Sequence, residues 1–314
     1  SVVDGRWGQP ETTLAQLLAQ IPTDPAEGDF AVAYVGRRDV LPIEGHPLDG
    51  TAFVAVADDG ELTFRDRWQP HGGSLLDSLD ATLTAISRSE TVRGGKLLAP
   101  LAVRYVAVVL GNPGDERITQ SADRTSEVDD AVSRFVDGLS GQLDFRRTYF
   151  SSELLIFENT EWIPSLGKLN DPSAVMSTQA GNEVLLTGDV VAEFPIRRTS
   201  ATSSEPVFIE EGTIHLAAPH TDRLVLDVGG VAVQSRVAFG GTTAFDSPLA
   251  GIARVDFRTP WTHHALVALQ VVLWVLAIVA VTDIGRFRRR KLVGAVRLVD
   301  DGLDHPTLRL GGER

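Results

Sequence analysis

The chain has 314 residues, enough for two domains, and a formal charge of −13 from 42 acidic against 29 basic residues. That balance excludes nucleic acid as the expected partner, because phosphate requires a net basic face. The absence of cysteine excludes disulfides, thiolate metal sites and a cysteine nucleophile.

In chain order, TTLAQLLAQ at 12–20 has Leu14, Leu17 and Leu18 on one helical face, with Thr13 as a cap. FAVAYV (30–35) and FVAVA (53–57) are short apolar runs bounded by Gly and Asp, the pattern of strands buried on both faces. Leu75, Leu76, Leu79, Leu83 and Ile86 repeat at helical spacing after Gly72 and Gly73, with Ser74 as the natural N-cap. The run VRYVAVVL (103–110) is the most strand-like in the chain and ends in the turn GNPGDE. Ser126 and Asp129 open a second helix that Gly141 closes, and strands follow at 145–150 and 154–158. Strands alternating with helices predict an α/β domain over residues 1–165.

The composition changes after Pro164. GKLNDPSAVMSTQAGN predicts a linker over 166–182, and helical periodicity then disappears until the C-terminal region. Short apolar runs at 184–186, 190–194, 213–217, 223–228, 231–239 and 252–257, separated by Gly, Pro, Asp and Ser, predict a membrane-proximal β-sandwich over 183–260. Gly229 and Gly230 suit a two-residue hairpin that needs positive φ.

ALVALQVVLWVLAIVAVT (265–282) is 18 residues without a charge, and Arg286, Arg288, Arg289, Arg290 and Lys291 follow it. Such a segment covers a hydrocarbon core of about 30 Å, and flanking Lys and Arg are retained on the cytoplasmic side. The expected topology is a transmembrane helix at 261–284, a cytoplasmic tail at 285–314, and the bulk of the chain outside the cell membrane. Trp261, His263 and His264 then sit at the outer interface, and membrane lipid is an expected partner. The opening SVVDGRWGQPETT has neither a basic start nor a signal-length apolar run, so an exporting signal or another span is expected upstream of Ser1.

Candidate chemistry is sparse. Asp58, Asp59, Glu61 and Asp66 cluster near a strand end, and Asp129 and Asp130 near a helix start; both groups read first as turn and helix-dipole residues. The seven histidines show no i, i+4 metal spacing. The Gly-rich pieces lack a P-loop lysine, a dinucleotide pattern and a G-x-S-x-G elbow, and no cofactor or metal is expected. Trp7, Trp68 and Trp162 are candidates for stacking on sugar rings. Trp68, with Asp66 close by, is the candidate glycan contact, but a lone Trp near Pro reads first as packing at a domain edge, and Trp162 does so more strongly.

KLLAPLAVRYVAVV, a helix, and then LLIFENTEWIP together resemble the outer domains of large polytopic family 2-type membrane glycosyltransferases of the actinobacterial envelope. The matching residues are Val103, Arg104, Tyr105 and Val106, then Phe157, Glu158, Asn159 and Pro164. DGRWGQP and DVLPIEG are similar to the same domain, and the stretch from LVLDVGG to DFRTP resembles the sandwich before the family's last span. The aromatic of the family's W-x-L-x-V-D-G hairpin is replaced here, near Arg223 and Leu224. The resemblance implies a C-terminal accessory part in envelope polysaccharide assembly, with the nucleotide-sugar catalytic domain upstream of this chain and envelope glycan or other membrane proteins as partners. A membrane-anchored interaction module without sugar binding is the alternative. Arg104 and Tyr105 are expected to orient a strand end rather than to touch substrate.

Overall fold

Six strands form the first sheet: β1 (Ala31–Gly36), β2 (His46–Leu48), β3 (Thr51–Ala57), β4 (Val103–Val109), β5 (Phe145–Phe150) and β6 (Leu154–Asn159). Their spatial order is β2-β3-β1-β4-β6-β5, and only the central pair, β1 and β4, is parallel. The computed structural model describes residues 21, 24–38, 40–41, 45–58, 74–110, 122–151, 154–200, 203–258, 261–263 and 265–280. The helix expected at 12–20, the GNPGDE turn and the basic cluster from Arg286 to Lys291 lie outside the described residues.

β1 and β4 are buried along almost their whole length, and apolar but for Arg104, because both faces of the sheet are covered there. On one face Ala33, Val35, Val106 and Val108 meet helices α1 (Ser74–Ser87) and α3 (Ala122–Ser140) through Leu79, Leu83, Ile86, Val132, Phe135 and Leu139. On the other face Val32, Tyr34, Tyr105 and Ala107 pack with Ile21, Phe30, Leu41 and Trp162. α3 starts at Ala122, ahead of the start expected at Ser126. Asp129 and Asp130 therefore lie beyond the first turn, where the helix dipole no longer favours them. A short helix, α2 (Gly94–Leu98), precedes β4.

The expected linker at 166–182 is ordered structure. It holds β7 (Leu166–Leu169), which pairs with β12 (Gly212–Leu216), and α4 (Asp171–Met176). The turn-like residues are helix-start chemistry: the Asn170 side chain accepts from Ser173 N at 2.9 Å, and Pro172 sits in the first turn. The strand expected at 184–186 is instead helix α5 (Asn182–Thr187), in which Leu185 alone is buried. Three apolar residues in a row fit either element, and the flanking Gly181 and Gly188 do not decide between them.

The strands expected as a sandwich form one curled antiparallel sheet with β7. It also contains β8 (Ala192–Pro195), β11 (Val207–Ile209), β13 (Leu224–Val228), β14 (Val231–Ala238), β15 (Thr242–Ser247) and β16 (Gly251–Phe257), in the order β11-β16-β13-β14-β15-β12-β7-β8. A separate small ladder pairs β9 (Arg198–Ser200) with β10 (Ser203–Ser204). β14 is the bend: residues Val231 to Gln234 pair with β13, and Ser235 to Ala238 pair with β15. The two halves thereby enclose one core of Leu166, Ile214, Leu216, Phe245, Leu224, Leu226 and Val255. The β13–β14 hairpin turns as expected at Gly229 and Gly230, with φ of 59° and 88°.

Contacts divide the chain between Arg258 and Thr259. The C-terminal unit contains the helix Trp261–Ala280, 20 residues long, whose described residues are all exposed. At 1.5 Å per residue that helix reaches about 30 Å, long and apolar enough to cross a membrane.

Candidate functional site

Arg104 owes its position to one extra residue in β4. Ala31 pairs with Val103 but Val32 pairs with Tyr105, so Arg104 is a bulge in the β1–β4 ladder. The bulge also reverses which side of the sheet the later residues of β4 face. Val103 shares the helix-covered face with Val106 and Val108, whereas Tyr105, Ala107 and Val109 lie on the opposite one.

The buried guanidinium of Arg104 lies within 5.3 Å of the Phe30 ring centroid, 5.2 Å of Tyr105 and 4.6 Å of Trp162. These distances are cation–π contacts, strengthened by burial. The rings brace one another edge to face, with Phe30 5.4 Å from Tyr105 and 5.9 Å from Trp162. Two carboxylates flank the cation. Glu27, from the turn Pro25–Glu27, is in close ion-pair contact with Nη1, and Glu158 Oε1 lies 3.5 Å from Nη2. Glu158 also accepts from the exposed Arg146 at 2.6 Å through Oε2. The Arg104 Nε–H is buried and has no acceptor among the described residues. Burial pushes the Tyr105 phenol up from its ordinary value, with Arg104 opposing the shift.

The segments bearing the expected resemblance are neighbours in space. β4 pairs with β6, Tyr105 opposite Glu158 and Val106 opposite Phe157. Asn159 ends β6 fully buried, donating from Nδ2 to Gly95 O at 3.0 Å and Val103 O at 2.9 Å while Oδ1 accepts from Glu161 N. It thus ties the start of β4 to α2. α2 has no cap of its own; Gln142 accepts from Gly94 N and Asp144 from Lys96 N. Arg93 pairs with buried Asp144 at 3.2 Å, and Lys96 reaches Gly188 O and Asp189. Asn159→Ala leaves two carbonyls and one N–H without partners. A loss of about 2 kcal/mol in urea-unfolding free energy is expected, and an unchanged midpoint would show that water replaces all three bonds.

Trp68 and Asp66, the candidate glycan contacts, lie outside the described residues, as do Asp59, Glu61, Trp7 and the residues expected to set orientation, Arg286, Arg288, Arg289, Arg290 and Lys291. Trp261, on the apolar helix, is exposed. Arg104 and Tyr105, read together in the sequence, and Trp162, read apart from them, converge on one box. Phe30 and Glu27 completed it without a sequence signal beyond their proximity to a strand start. No group of three or more His, Asp or Glu with metal-holding geometry occurs among the described residues. His215 is buried against Thr242, at 3.0 Å, and against the ring of Phe239. The chain matches no protein-family model, no curated protein and no solved structure.

Proposed function

We propose that the chain is the extracytoplasmic, C-terminal accessory part of a membrane glycosyltransferase-like protein in cell-envelope polysaccharide assembly. In this reading residues up to Arg258 hold or guide a glycan acceptor or a partner protein outside the membrane, and Trp261–Ala280 anchors them. The observation that carries it is that helix: 20 residues, none of the described ones buried, followed in the sequence by the cluster Arg286 to Lys291. Further support comes from the pairing of Tyr105 with Glu158 and of Val106 with Phe157, within the segments that resemble the family's outer domain. The curled sheet is read as the family's membrane-proximal sandwich, its halves meeting over a shared core. The alternative, an interaction module without sugar binding, is favoured by Phe208 and Ile252, an exposed apolar pair across β11 and β16.

The chain lacks cysteine, so single introduced thiols report topology unambiguously. In intact cells a membrane-impermeant maleimide is expected to label Val175→Cys, on exposed α4, and to label Thr307→Cys only after permeabilisation. The reverse pattern places the bulk of the chain in the cytosol and removes the envelope assignment.

A further inference from the structure

From the Arg104 box we infer a gated anion subsite: Glu27 stands in for the carboxylate or phosphate of a sugar ligand that binds Arg104 when the Pro25–Glu27 turn lifts away. The sugar part of this inference rests on the proposed envelope function; the anion part rests on the box alone.

A guanidinium has five N–H donors in a rigid fork suited to bidentate binding of carboxylate or phosphate. Here the fork is incompletely used. Glu158 is 3.5 Å from Nη2, Glu27 touches Nη1, and the buried Nε–H has no acceptor among the described residues. A buried donor without a partner is unfavourable, because its lost hydration is not replaced. The fold keeps this cost at a bulge that aims Arg104 into three aromatic rings.

The two carboxylates differ in how they are held. Glu158 is fixed on β6 between the β4 and β5 ladders and is shared with Arg146. Glu27 sits on a three-residue 3-10 turn with its side chain 47% exposed. Withdrawal of Glu27 leaves Arg104 and Arg146 against Glu158 alone, a local excess of one positive charge under a low-dielectric roof, which favours an incoming anion. Trp162 is half-buried, the ring of the box that reaches solvent, and offers a sugar ring an apolar surface next to the cation. An aromatic face beside a guanidinium fork matches a sugar bearing an acidic group better than a neutral one.

The test uses the full chain in detergent micelles, with D-glucuronate, glucose 1-phosphate, glucose and inorganic phosphate as probes and calorimetry as the readout. Glu27→Gln removes the resident charge and keeps the shape. It is expected to tighten binding of glucuronate or glucose 1-phosphate at least about tenfold over the unaltered chain, with glucose showing no gain. The stronger of the two acids identifies a carboxylate or a phosphate ligand. Adding Trp162→Phe to Glu27→Gln is expected to weaken the sugar acids while leaving inorganic phosphate unchanged, and this arm does not depend on an Arg104 variant folding. Equal affinity of Glu27→Gln and the unaltered chain for both acids overturns the subsite. Binding of the acids by Glu27→Gln, with no envelope glycan bound by any variant, leaves the subsite standing and removes the glycan-guiding function.

Discussion

Gly138→Ala is expected to destabilise the protein by about 3 kcal/mol, although helix propensity taken alone favours alanine over glycine by about 1 kcal/mol. The sign is therefore diagnostic. Gly138 lies in the last turns of α3, where the helix crosses the end of α1. A Cβ there falls 2.1 Å from the carbonyl oxygen of Ile86 and 2.9 Å from its carbonyl carbon. Both are backbone atoms, so no side chain can swing aside. The helices must separate by more than an ångström, which loosens Leu83, Ile86, Phe135 and Leu139, all fully buried between them. Close-packed interiors do not absorb such shifts without loss of dispersion contacts. Urea unfolding of the full chain in micelles measures the effect. A variant as stable as the parent would mean that α1 and α3 do not meet at Gly138.

The second large effect is a loss of stability in mild acid that depends on His215. Thr242 donates its hydroxyl to Ala238 O at 2.8 Å, so its oxygen accepts from His215 Nε2–H, which fixes the neutral tautomer. Nδ1 is then the site for an added proton. It is buried and has no partner among the described residues. Burial, aided by repulsion from Arg236, pushes the imidazole pKa down to about 3.

In an unfolded chain the same group titrates near 6.5. Between those values the unfolded state binds more protons, so stability is complete above pH 6.5 and falls as the pH drops towards 3. The slope is at most about 1.4 kcal/mol per pH unit, or about 2–3 kcal/mol between pH 6.5 and 4.5. Asp49, Asp189 and Asp246 have carboxyls held below their ordinary values by Arg88, Lys96 and Arg236 respectively. Their contributions are lost at still lower pH, as it falls through their depressed folded values, so the interval from 6.5 to 4.5 isolates the histidine. His215→Leu is expected to flatten the stability curve there. An unchanged slope in the variant would assign the acid loss to another group.

The central strands of the first sheet were legible in the sequence because they are covered on both faces, which writes largely apolar runs such as FAVAYV and VRYVAVVL. α1 was legible because one face of it packs on that sheet. The order within 166–187 was not legible, because helices of six residues expose most of their length and carry no periodicity. Asn170, Asp171 and Pro172 have the same composition whether they begin a helix or make a turn. β7 is four residues long and is a strand only because β12 lies beside it.

The sequence by itself determined the apolar C-terminal helix, the Gly229–Gly230 turn and the absence of thiol chemistry, since each depends on residues adjacent in the chain. Tertiary structure alone decided that Arg104 is an aromatic-boxed cation and that the later strands curl into one sheet. The bulge exists only where β4 meets β1, and Phe30, Tyr105, Trp162 and Glu27 come from chain segments that only the folded sheet brings together. The same holds for His215. An alternating strand pattern shows that it turns away from Ile214 and Leu216, but only the packing of α4, α5 and Phe239 on that outer face makes its surroundings dry enough to keep it neutral.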